Sequence, residues 1–176
     1  MNQIKQDVFV DYLRGLAAAD DRAALAALRY GFVNPLRALP YVARFLPTAG
    51  GRRAEDTLIL VGGLFALHPA SGTSSLASIL RRLAEKSDSV ELRFRALLDC
   101  DREDLPNHLR HAVALAASNE LPIDFENLHR AIRGWEHDSR FVQRRWARDY
   151  WSTVPVPDDG PENTTSTDDR DRETAP

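Results

Sequence analysis

Apolar residues recur along this chain at helical spacing almost from end to end. Ile4, Val8, Tyr12 and Leu16 stand four apart, which lines one stripe of an α-helix. Asp20 is placed to cap a second helix that runs through Leu25 and Leu28 and stops at Gly31. Pro35, Pro40 and Pro47 then forbid a long helix, so this stretch is expected to be irregular, with one turn around residues 41–45. Residues 53–67 are apolar nearly all round, the pattern of the most buried helix. Gly62 and Gly63 within it would let a neighbouring helix approach closely, and His68-Pro69 ends it.

The second half repeats the pattern. Leu76, Ile79, Leu80 and Leu83 fall at i, i+3, i+4, i+7, and a further helix from about Ser89 carries Val90, Phe94, Leu97 and Leu98. Asp104 is the expected cap of a helix with Pro106 in its first turn and Leu109, Val113 and Ala116 along one face. Asp124 is expected to cap another, bearing Phe125, Leu128, Ile132 and Trp135, and a last helix spans residues 139–151. No stretch alternates with a period of two. The expected class is therefore all-α: an N-terminal helical bundle over residues 1–100 and a C-terminal one over 101–152. Residues 153–176 combine proline, glycine and a polar, acidic run, and read as a disordered tail.

Charge changes the picture once the tail is set apart. The chain of 176 residues has 23 bases, 26 acids and a net charge of −3. The tail holds seven of the acids (Asp158, Asp159, Glu162, Asp168, Asp169, Asp171 and Glu173) and only two bases, Arg170 and Arg172, which leaves 21 bases against 19 acids elsewhere. All the bases except Lys5 and Lys86 are arginine, whose planar fork suits phosphate and carboxylate. The apolar run at 57–67 is too short to cross a bilayer. The first residues lack the basic-then-apolar layout of a signal peptide. The lone Cys100 can form no internal disulfide. A cytoplasmic protein with no membrane partner is expected.

Catalytic signatures are missing: there is no glycine-rich phosphate loop, no GxSxG and no HExxH. No enzyme activity and no cofactor are expected. His108 and His111 stand i, i+3 and could hold a metal with Asp104, but they read as ordinary surface or cap residues. Asp99, Asp101, Glu103 and Asp104 cluster at a helix start, where acids suit the helix dipole. Cys100 among them should have a raised pKa and an unreactive thiol.

The informative segment is RFVQRRWARDYW, residues 140–151. At about 100° per residue, Arg140, Arg144 and Arg148 share one stripe, with Val142, Trp146 and Tyr150 nearly opposite. Arg145 borders the basic face and Trp151 falls within it, although burial is its expected fate. Like charges at i, i+4 destabilise a helix by about 0.2–0.5 kcal/mol per pair. That cost suggests an anionic partner; a solvated face salted to other helices is the other reading, and both stay open. Arg22 and Arg29, seven apart, form a weaker basic pair.

Several segments, in order, resemble a known family: ALAALRYGFVNP, PYVARFLP, EDTLILVGGLFALHP, ELRFRALLDCDREDLPNHLRHAVALAASNELPIDFENLHRAIRGW and RFVQRRWARDYW. Together they resemble the CasB small subunit of type I-E CRISPR Cascade complexes over about residues 5–152. The resemblance implies an all-helical, non-catalytic scaffold with two copies head to tail. It implies contacts with the Cascade subunits CasA, CasC, CasD and CasE, beside the crRNA. A basic surface would support the target and non-target DNA strands of the R-loop. Carried over by position, the nucleic-acid contacts would be Arg29 in ALRYG, Arg102 in DCDRED, Arg110 in HLRHAV, and Arg140, Arg144, Arg145 and Arg148 in the last helix. The acidic tail departs from the family core: it would be specific to the species, or it would deter loose nucleic-acid binding. Two rival readings are a plain helical protein–protein interaction subunit and a helix-turn-helix regulator. The latter would use the turn at 119–124 before FENLHRAIRGW.

Overall fold

The computed structural model describes residues 7–48 and 50–152. Ile4 of the first stripe and the acidic tail at 153–176 lie outside them. Among the described residues the structure is helical, with a single isolated bridge, Ser71 to Ile123, as its only β pairing. None of these helices is long and apolar enough to cross a membrane.

Helix α1 (Val8–Ala18) starts at Asp7, whose carboxylate accepts from the Phe9 and Val10 amides. Asp20 closes it in the left-handed region, φ 50°, while its amide and that of Asp21 reach back to the Ala17 and Leu16 carbonyls. A residue that ends one helix this way is not available to cap the next. Helix α2 (Arg22–Tyr30) is therefore capped by Asp21, through the Ala24 amide, and not by Asp20 as expected. The prolines give two 3-10 turns, Pro35–Arg37 and Ala43–Phe45, around the single-turn α3 (Leu39–Val42).

Helix α4 (Gly51–Leu67) is the axis of the molecule, with every residue from 57 to 66 buried. A Cβ on Gly63 would lie 2.8 Å from the Phe32 ring and one on Gly62 2.9 Å from Leu28. The glycine pair thus lets α2 and the turn after it lie against α4, as the sequence suggested.

Helices α5 (Leu76–Ala84) and α6 (Asp88–Asp99) pair with each other, and both touch α7 (Leu105–Ser118) and α9 (Phe141–Trp151). Helix α8 (Phe125–Arg133) packs on α4, which α7 also touches. The buried apolar residues form one cluster, from Phe9 to Tyr150, that runs through residue 100 without a break. The two halves expected from the sequence therefore share one core.

Loop 70–74 is stitched to the segment before α8. The Ile123 amide donates to Ala70 O at 3.0 Å, Gly72 to Ile123 O at 2.9 Å and Asp124 to Ser74 O at 2.9 Å. His68 Nε2 contacts Leu121 O at 2.9 Å. Asp124 caps α8 through the Asn127 amide, as expected. Asp104 holds the cap position of α7, but its side chain makes no capping bond. Asp101, three residues earlier, instead accepts from the Glu103 and Asp104 amides in the turn that leads into the helix.

Candidate nucleic-acid interface

Helix α9 is anchored through one face. Tyr150 stacks on Phe94 with centroids 4.1 Å apart and planes at 12°, and Trp146 meets Trp135 edge-on at 5.3 Å. Gln143 Nε2 donates to Trp135 O at 2.7 Å. With Val142, Trp146 and Tyr150 fixed inward, Arg144 and Arg148 are turned to solvent. Neither side chain bonds another described residue. Arg145 is half-buried at the edge of this face.

Two details of the expected stripe change. The helix begins at Phe141, so Arg140 precedes it, in the left-handed region with φ 50°. The chain must turn from α8 into α9 within a few residues, and the Arg140 amide closes that turn on His137 O at 2.7 Å. The Arg140 guanidinium then points back to the Leu98 carbonyl in the last turn of α6, a favourable place for a cation. Trp151 is 45% exposed rather than buried. It stands against Tyr150 and Phe94, and the Arg95 guanidinium lies 5.4 Å from its ring centre.

The other expected contacts lie on other elements. Arg29 donates from Nε and Nη2 to Ala66 O, at 3.2 and 2.6 Å, and so satisfies a carbonyl in the last turn of α4. Arg102 bridges elements: Nη1 donates to Ile132 O and Nη2 to Thr57 Oγ1, both at 2.6 Å. Burial lowers its pKa from the ordinary arginine value, while the charges of Glu136 and Asp56 work the other way. Arg110 is exposed on α7 and has no partner among the described residues. The seven arginines thus sort by geometry. Arg110, Arg144 and Arg148 project into solvent, Arg29, Arg102 and Arg140 donate to atoms of the fold, and Arg145 is half-buried at the edge of the α9 face.

Sequence reading missed the pair formed by His129 Nδ1 and Asp7 Oδ2, 2.6 Å apart across 122 residues. Burial alone would raise the Asp7 pKa. The hydrogen bond and charge of His129, with the Val10 and Phe9 amides, outweigh it and bring the pKa below the ordinary carboxylate value. His129 also lines a cleft of about 460 Å³ with Phe45, Arg53 and Arg133, where Arg53 is paired to Glu136 at 2.7 Å. No local spacing in the sequence signals this pairing between residues so far apart. His108 and His111 line a groove of about 370 Å³ with Arg93 and Phe94. Among the described residues no three His, Cys, Asp or Glu side chains gather as a metal site would need. Burial pushes the Cys100 thiol up to about 11, helped by Asp101, Asp104 and Asp99 and opposed by Arg140.

Helix α8 is held into the fold through one face and through its leading turn. Phe125, Leu128, His129, Ala131 and Ile132 are buried, and its leading turn is bonded to loop 70–74. Reading DNA bases would require a face of that helix and its approach to be open.

Residues 24–151 match the model of the CRISPR-associated protein Cse2 family. The CRISPR-associated protein Cse2 of Thermus thermophilus is 40% identical over 153 residues, which is 81% of this chain and 88% of that protein. The crystal structure of CasB from Thermus thermophilus superposes with a TM-score of 0.71 at 39% identity, covering 81% of this chain and 95% of that one. A chain of a CRISPR RNA-guided surveillance complex superposes with a TM-score of 0.66 at 26% identity, covering 82% and 89%. With the family model spanning most of the chain and the same all-helical architecture in its relatives, this chain belongs to the Cse2 family of CRISPR-associated proteins.

Proposed function

We propose that this chain is the small, non-catalytic subunit of a Cascade-type surveillance complex, and that it steadies opened nucleic-acid strands through solvent-facing arginines. One observation carries the reading: Arg144 and Arg148 have no side-chain partner among the described residues, on a helix whose opposite face is locked into the core. Paired like charges that no described residue bonds are explained by an anionic partner. Arg110 on α7 is a further contact of the same kind. Exchange of a DNA duplex for a guide–target hybrid is nearly balanced, so backbone contacts can tip it. Arginines that bind phosphate supply this bias without reading sequence. Arg29, Arg102 and Arg140 act one step back, holding the elements that present this surface. The partners are CasA, CasC, CasD and CasE, a second copy of this chain, the crRNA, and the target and non-target strands.

The test is the salt dependence of DNA binding by the assembled complex. Each single-strand phosphate contact contributes about −0.7 to the slope of log K against log salt. Replacing both Arg144 and Arg148 with alanine should flatten the slope by roughly 1.4 and leave subunit composition intact. An unchanged slope would remove these two residues from the interface. A complex that no longer assembles would favour the second reading, in which the exposed face packs against protein. That reading draws support from Tyr30, Val33 and Leu36, apolar side chains that are each exposed at the end of α2 and in the segment that follows it.

A further inference from the structure

We infer that the arginine face of α9 is also a docking surface for this chain's own acidic segment, residues 153–176. Its competition with nucleic acid rests on the function proposed above; the docking itself does not.

The place where the described chain ends supplies the first argument. Arg81 Nη1 donates to Ser152 O at 2.6 Å, which fixes the exit of the segment beside the last turn of α5. That turn carries Arg81 and Arg82, and the last turn of α9 carries Arg148. Arg82, Arg144 and Arg148 are exposed and have no side-chain partner among the described residues. Charge supplies the second argument: 24 residues hold seven acids and two bases. Reach supplies the third. Asp158 and Asp159 follow Ser152 by six and seven residues, a span of up to about 20 Å for extended chain. Arg144 lies eight residues back along the helix, about 12 Å at 1.5 Å per residue. The first acid pair therefore reaches the whole stripe, and Glu162 and the acids from Asp168 to Glu173 can follow it. Tethering gives these acids a local concentration of order millimolar. Exposed ion pairs are individually weak and screened by salt, so the contact is a reversible cover that phosphate displaces.

Paramagnetic broadening in the full chain tests the docking. A nitroxide on Thr165→Cys, in a Cys100→Ser background, should bleach the amides of Arg82, Arg144 and Arg148 at 50 mM salt, with recovery at 0.5 M. Even broadening over the surface, or none, overturns the proposal. So does bleaching seen only when labelled chain is mixed with unlabelled ¹⁵N chain, which would make a second copy the occupant. A full chain with the seven acids changed to Asn or Gln tests the competition. It should bind a single-stranded oligonucleotide roughly tenfold more tightly at low salt, the gain fading as salt rises. The gain should vanish when Arg144 and Arg148 are alanine. Broadening without any oligonucleotide binding would sink the nucleic-acid reading and leave the docking in place.

Discussion

Arg102 donates one guanidinium nitrogen to the Ile132 carbonyl and another to Thr57 Oγ1, so one side chain ties the start of α7 to the end of α8 and the middle of α4. Charge-assisted bonds inside a fold are stronger than their surface counterparts. Arg102→Ala should lower unfolding free energy by about 2–3 kcal/mol, read from denaturant midpoints, and Arg102→Lys should not restore it because an ammonium lacks the fork. A variant as stable as the parent would return Arg102 to the surface role that resemblance suggested. Its two acceptors lie 30 and 45 residues away in sequence, beyond what spacing within one helix reveals. Asp7 gives a pH prediction at the same scale. Its pKa is lowered in the fold, so its stabilisation is complete above the ordinary value of 3.8 and is lost as pH falls through the lower folded value. Stability of the parent should fall on acidification below about pH 4, and Asp7→Asn should show a shallower fall. Parallel pH profiles would mean that the fold, through His129 and the Val10 and Phe9 amides, does not lower the Asp7 pKa.

The helices themselves were legible because their signals are local. Stripes in α5, α7 and α8 are built from residues three and four apart, and those residues are the ones buried. Caps were less legible, since several acids near a helix start compete and backbone geometry selects one. Asp124 caps α8 with a bond to the Asn127 amide, whereas the Asp104 side chain caps nothing. Asp124→Ala should therefore cost about 1 kcal/mol, while Asp104→Ala should change stability by less than about 0.5 kcal/mol. Thermal melts of the two variants separate them, and equal losses would contradict the assignment. At α9 the inward face was read correctly, but its start was placed early because the left-handed turn at Arg140 leaves no mark in the hydrophobic pattern. That shift moves Arg140 from the exposed stripe to the Leu98 carbonyl.

At the scale of the whole molecule, sequence suggested a boundary at residue 100 that the packing crosses. Hydrophobic periodicity tells which face of a helix is buried and not which helix covers it. Leu80, Leu83, Val90, Phe94 and Leu97 are all buried, on the two helices that meet α7 and α9 from beyond that boundary. The Phe94–Tyr150 stack joins positions 56 residues apart, and α8 lies on α4. A fragment of residues 1–100 would expose the faces of α4, α5 and α6 that these helices cover, and burial of a single Leu or Phe is worth about 1.5–3 kcal/mol. Losing several such contacts exceeds the roughly 5–15 kcal/mol by which a typical domain is stable. The full chain should unfold in one cooperative transition, with helical signal and tryptophan fluorescence coincident, since Trp135 and Trp146 sit in the same core as α1 and α2. Fragment 1–100 alone should lack a cooperative transition. Two resolved transitions, or a fragment that melts cooperatively, would restore the boundary. It would then also make the arginine face of α9 a surface that moves against α5 and α6 instead of one held to them.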